Sequence, residues 1–147
     1  ACTPEMFVRY AQIAALMPVM QFSASPWRVL PEADFQKVKD ALALREKCLP
    51  EILKAVECAK VTGEPIVRSM EFVFPGQGME RVMDQFMVGE DLLVAPVWKQ
   101  GEVARSVRLP EGQWRCVGLG ETEGDVLNGG RDVILGENEG LVVLKRV

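Results

Sequence analysis

Three carboxylates lie close together in the sequence, Asp84, Glu90 and Asp91. Paired acids are the groups that carry out glycoside hydrolysis, one protonating the departing oxygen while the other attacks or activates water. Gly89-Glu90-Asp91, however, reads as a turn ahead of a strand, where acids are ordinarily solvated or accept neighbouring N–H groups. A structural role is therefore expected for all three, and no catalytic residue is assigned. Gly76-Gln77-Gly78-Met79-Glu80-Arg81 has the outline of a dinucleotide fingerprint, but Arg81 occupies the third glycine position, where a side chain prevents close helix packing. A plain glycine turn is the expectation. Trp27 follows Ser25-Pro26 in a proline-bounded loop, and its ring is as readily a platform for a sugar as a plug beneath the loop. The sequence contains no histidine, which removes the commonest general base and zinc ligand. Its four cysteines, at 2, 48, 58 and 116, form no C-x-x-C pair and read as reduced core thiols. No metal site and no cofactor are expected.

Composition narrows the classes further. At 147 residues, 48% apolar and 26% charged, the chain has the balance of a globular protein able to bury a core. A net charge of -4, with basic residues scattered among acids, excludes a nucleic-acid footprint. The longest apolar stretch, Ile13 to Met20, is interrupted by Pro18 and falls far short of the roughly 20 residues a membrane span needs, so no membrane association is expected. The N-terminal residues lack a basic and an apolar signal region, which leaves the compartment weakly constrained with cytoplasmic favoured.

The elements that would position these side chains follow from periodicity. Thr3-Pro4-Glu5 is a helix start: a capping hydroxyl, a proline at the first helical position and an acid at the positive end of the dipole. Met6, Tyr10, Ile13 and Met17, widened by Phe7 and Ala14, predict its buried stripe. Val19-Met20-Gln21-Phe22, bounded by Pro18 and Ser23, predicts a buried strand. A second helix is predicted from about 32 to 62, with Phe35, Val38, Leu42, Leu49, Ile52, Leu53 and Val56 buried, Gly63 as its cap and a kink or break at Pro50. Beyond Pro65 the period becomes 2. Met70, Phe72 and Phe74 predict one strand, Leu92 to Val97 a buried strand, and Val103, Val107 and Leu109 another. A short helix is expected around Met79 to Phe86. Turns at 110 to 113 and at Asn128-Gly129-Gly130 lead into strands at 114 to 117 and 133 to 135, and Leu141 to Leu144 forms the last.

Three blocks resemble the family-31 glycoside hydrolases. They are residues 6 to 20; Ala43-Leu44-Arg45-Glu46-Lys47-Cys48-Leu49-Pro50 continuing through Gly63-Glu64-Pro65-Ile66-Val67-Arg68; and Asp84 through Val97, followed by Leu109-Pro110-Glu111-Gly112-Gln113-Trp114. The resemblance implies α/β plus all-β architecture: the last part of a (β/α)8 TIM barrel over residues 1 to 70, then a C-terminal β-sandwich over 71 to 147. In such barrels the active site lies at the C-terminal ends of the strands, so the segment after Met20 would line it. The resemblance thus makes Gln21, Phe22, Ser23 and Trp27 the substrate-binding candidates. It also implies a retaining hydrolysis of α-glycosides by two aspartates on earlier strands, which nothing here matches.

One position departs from the family pattern. Many members carry Met-Arg-x-His where this sequence reads Met20-Gln21-Phe22-Ser23, replacing a cation and a titratable ring by an amide and a hydroxyl. The Gln-Phe-Ser-x-x-Pro-Trp pattern is similar to a subgroup for which α-galactosides are the suggested substrates. The implied partners are an α-linked glycoside or oligosaccharide and the missing N-terminal part of the barrel, with a chain inactive by itself. The alternative reading is a non-catalytic β-domain that serves as a binding or interaction module.

Overall fold

A computed structural model describes residues 2–118, 123–136 and 140–147. Its first half is helical: α1 (Pro4–Ala15), α2 (Pro26–Val29) and α3 (Glu32–Thr62). As predicted, Thr3 caps α1, its hydroxyl accepting the Met6 N–H at 3.2 Å. Gly63 ends α3 in the left-handed conformation with φ of 76°, its N–H donating to Ala59. Such a φ is open to glycine without a Cβ penalty. α3 continues through Pro50 as one helix rather than two.

The helices bury narrower faces than their large apolar residues suggest. On α1 the covered residues include Val8, Ala11, Ala14 and Ala15, while Met6 is 61% and Tyr10 57% exposed. On α3 they are Val38, Ala41, Leu44, Cys48, Ile52 and Ala55, whereas Leu42, Leu49 and Leu53 face outward. The physical reason is backbone approach. Alanines let α1, α3 and the sheet below come close together, and the bulkier residues one step round each helix are turned away.

The second half is antiparallel. β1 (Val67–Ser69), β2 (Phe86–Val88), β3 (Leu92–Pro96), β5 (Gln113–Cys116), β6 (Val126–Asn128) and β8 (Leu141–Arg146) form a six-stranded sheet in the order β1-β2-β3-β8-β5-β6. β4 (Arg105–Leu109) and β7 (Arg131–Leu135) form a second, two-stranded sheet. Strand alternation divides the core in two. Leu92, Val94, Leu141 and Val143 join Leu44, Cys48 and Ile52 of α3 beneath the helices. Leu93, Ala95, Val142 and Leu144, one residue on, join Val107, Leu109 and Trp114 between the sheets. β3 and the apolar part of β8 are therefore covered on both faces, which is why each reads as a continuous apolar run.

Three expected elements differ. No strand forms at 19 to 22. A strand needs a neighbour to complete its backbone hydrogen bonds, none of the described strands pairs with it, and Val19 is 81% exposed. Met70 to Phe74 is not a strand either: Ser69 caps a helical turn, α4 (Met70–Val73), its hydroxyl accepting the Phe72 N–H at 3.3 Å. Met70 and Phe74 are buried and Phe72 exposed, a pattern that the i, i+4 spacing of a turn satisfies as well as alternation does. The helix expected at 79 to 86 is instead a turn followed by the start of β2. Asn128-Gly129-Gly130 does turn the chain, but it carries it from one sheet to the other rather than closing a hairpin. Gly129 sits so close to Pro110 that a Cβ would lie 1.8 Å from its carbonyl oxygen.

Candidate functional site

Beyond α1, the chain bends at 17 to 19 and again at 23 to 24, with no ladder to hold it among the described residues. Met20 is packed inward against both helical clusters, and Phe22 stacks on Phe7 with ring centroids 5.9 Å apart and planes 5° from parallel. The intervening Gln21 and Ser23 are exposed. The alternation expected of a strand is thus kept in a segment that is not one.

Gln21, Phe22 and Ser23 come together along a groove of about 400 Å³ whose far side is formed by Thr3, Phe7 and Tyr10. Trp27 stands outside its lining. Pro26 begins the single turn α2, and Trp27 projects from it 68% exposed, so the plug-beneath-the-loop alternative is not what forms. The groove offers an amide, the hydroxyls of Thr3, Tyr10 and Ser23, and apolar ring surface, without a charged side chain in its lining. Such a lining suits a neutral, polyhydroxylated ligand.

A larger cleft of about 690 Å³ lies between α1, α3 and the loops of the β-half. Its charged groups are already engaged. Arg9 donates to the carbonyl of Glu102 at 2.7 Å, Glu5 accepts the Gly101 N–H at 2.9 Å, and Lys37 binds Asp34 at 2.9 Å. The cleft reads as a seam between the two halves, and the smaller groove is the better candidate site.

The acids at first singled out are structural. Asp84 pairs with Arg105 at 2.7 Å, Asp91 with Lys54 at 2.7 Å, and Glu90 with Arg68 at 3.6 Å. Two of these partners are buried arginines that also bind backbone: Arg105 donates to the carbonyls of Asp84 and Pro96 at 2.6 and 2.8 Å, and Arg68 to that of Pro65 at 2.8 Å. Gly76 and Gly78 occupy left-handed turns with no helix following, as expected of a plain glycine turn. Among the described residues no cluster of three or more metal-binding side chains occurs, and no helix is long and apolar enough to cross a membrane.

Sequence reasoning missed a residue that binds the chain just ahead of the groove. The Arg45 guanidinium, on α3, donates to the carbonyl oxygens of Ala15 at 2.7 Å, Met17 at 2.6 Å and Pro18 at 3.2 Å. No local signal marks it, since its acceptors lie 27 to 30 residues earlier in the chain.

The fold and groove define the class: an antiparallel β-domain backed by two long helices, with an uncharged groove where the chain leaves the first. Residues 63–134 match the glycosyl hydrolase family 31 C-terminal domain. Over 112 residues the chain is 39% identical to the myogenesis-regulating glycosidase of Mus musculus, covering 76% of this chain and 16% of that protein. It superposes on a family-31 α-xylosidase from a soil metagenome, solved with xylose, with a TM-score of 0.82 at 29% identity over 97% of this chain and 25% of the other. A family-31 dextranase from Flavobacterium johnsoniae, solved with isomaltotriose, gives 0.81 at 27% identity over 97% and 18%. The chain belongs to glycoside hydrolase family 31 and corresponds to the C-terminal part of its members. It spans less than a fifth of the length of the curated relatives it matches.

Proposed function

We propose that this chain is the C-terminal portion of a retaining α-glycoside hydrolase, in which residues 1 to 70 complete a (β/α)8 barrel and supply one wall of the sugar pocket. The catalytic aspartates come from barrel strands outside these 147 residues. The observation that carries the reading is the groove, where Gln21, Phe22 and Ser23 meet at the exit from α1 with Trp27 exposed on the next turn. The outward apolar residues support it too. Met6, Tyr10, Val19 and the stripe Leu42, Leu49 and Leu53 are surfaces that further barrel strands and helices would cover. A stand-alone binding module has no use for them.

The test uses the full-length polypeptide. Trp27→Ala should weaken substrate binding several-fold, since loss of a stacked aromatic costs on the order of 1 kcal/mol beyond area burial. Gln21→Ala should cost about 1 to 3 kcal/mol if it leaves a sugar hydroxyl unpaired in a closed site. A rise in KM marks a contact made in the ground state, and a fall in kcat one that tightens in the transition state. Unchanged kcat/KM in both variants would sink the sugar-wall assignment. The 147-residue chain alone should not hydrolyse aryl α-glycosides above background; turnover that survives removal of host glycosidases would overturn the division of labour.

A further inference from the structure

We infer that Arg45 is a positioning residue for the groove wall. The inference rests on the reading that Gln21 and Ser23 face the sugar. α1 has no basic residue in its last turn; its Ile13 and Ala14 carbonyls accept the Leu16 and Met17 N–H groups, which leaves that of the buried Ala15 for a partner from elsewhere. Arg45 supplies that cation from α3, thirty residues on, bridging the last residue of α1 and two carbonyls of the segment that follows. No strand neighbour holds this segment. Its described anchors are the guanidinium at 15 to 18, Met20 packed between the helical clusters, and the Phe22 ring on Phe7.

These anchors fix which side chains of the segment face inward. With Met20 and Phe22 turned in, Gln21 and Ser23 must turn out, and a slip of one residue would exchange the two pairs. Arg45 sets that arrangement from the N-terminal side. Its planar fork spreads the donors over two nitrogens, Nη1 to Ala15 and Met17 and Nη2 to Pro18, a fixed spacing that the three N–H groups on the one nitrogen of an ammonium do not reproduce. The residue touches no substrate and acts through the backbone that carries Gln21 and Ser23.

Backbone amide exchange in the 147-residue chain tests the clamp. Arg45→Met should accelerate exchange at residues 19 to 23 by about ten-fold or more, the scale of losing charge-assisted bonds to backbone, while β3 and β8 keep their protection. Arg45→Lys should recover little of it. In Arg45→Ala, millimolar ethylguanidinium should restore protection where ethylammonium does not. Unchanged exchange at 19 to 23, or acceleration spread equally over β3 and β8, overturns the inference. In the full-length polypeptide, Arg45→Met should raise KM for an α-glycoside several-fold more than Arg45→Lys does. A clamp confirmed by exchange alongside unaltered kcat and KM leaves Arg45 as an anchor and removes the sugar-wall reading instead.

Discussion

β3 is a wholly apolar run and the segment from 17 to 23 a short stretch in which apolar residues alternate with Gln21 and Ser23, and the two are held in opposite ways. β3 has a strand on each side and a core on each face, so its backbone and its side chains are satisfied by many redundant contacts. Among the described residues, the segment after α1 has no strand partner and is held by one arginine, one packed methionine and one ring stack. The first arrangement tolerates little change of volume but needs no particular residue to define its register. The second leaves side chains free to meet a ligand and concentrates its definition in a few contacts. The proposed sugar contacts fall on the second, the arrangement expected where binding groups ride on segments placed by a rigid scaffold.

The contrast can be broken at several points. Trp114 is fully buried between the sheets, edge-on to Phe74, with its indole N–H donating to the Pro110 carbonyl at 2.9 Å. Trp114→Ala should destabilise the chain by about 3 to 5 kcal/mol in chemical denaturation. A loss under about 1 kcal/mol would mean the two sheets do not share a core. Next in size, the two faces of α3 should respond differently. Ile52→Ala, at a residue 2% exposed, should cost about 2 to 5 kcal/mol, whereas Leu53→Ala, 53% exposed, should stay within about 0.5. Equal losses would show that the outward stripe is covered in the isolated chain, through self-association for instance.

A smaller effect concerns pH. Cys48 lies under β8, where burial and then the nearby Glu51 carboxylate push its thiol up from 9.0 to about 11, with Lys145 and Lys47 pulling the other way. The folded state therefore keeps a proton that the unfolded chain releases. Stability from this site is complete below pH 9 and declines between about pH 9 and 11, at on the order of 1 kcal/mol per pH unit at most. Cys48→Ala should flatten that slope in urea midpoints taken across the range. The smallest change is expected at Val19, which stands exposed in the segment after α1. Val19→Ser should shift the midpoint by no more than about 0.5 kcal/mol, and a loss of 2 or more would give that segment a hidden partner.

The parts of the fold that could be read ahead were those specified by local chemistry. Thr3 and Gly63 mark helix ends because a hydroxyl cap and a left-handed glycine act within one turn of chain. Leu92 to Pro96 announces itself as a doubly covered strand because no polar residue interrupts it. The misreadings share a cause. At Met70 to Phe74 and along α1 and α3, several apolar patterns fit the same residues, and which side is buried depends on what packs there. The candidate site was legible as a place, the exit from the first helix, since Gln21, Phe22 and Ser23 do share one groove. Its support was not legible, because an arginine at position 45 gives no local sign that it reaches carbonyls thirty residues back.

By itself, then, the sequence determined the capped helices, the apolar strands, the absence of histidine chemistry and the blocks shared with family 31. These follow from side-chain types and short spacings, which act over one or two turns of chain. Only the tertiary structure decided which helix faces are covered, that 19 to 22 lacks a ladder among the described residues, that Asp84, Glu90 and Asp91 are bound to Arg105, Arg68 and Lys54, and that Arg45 binds the carbonyls of Ala15, Met17 and Pro18. Each of these depends on groups far apart in sequence arriving within hydrogen-bonding or packing distance, and that arrival is set by how close α1, α3 and the sheet can approach.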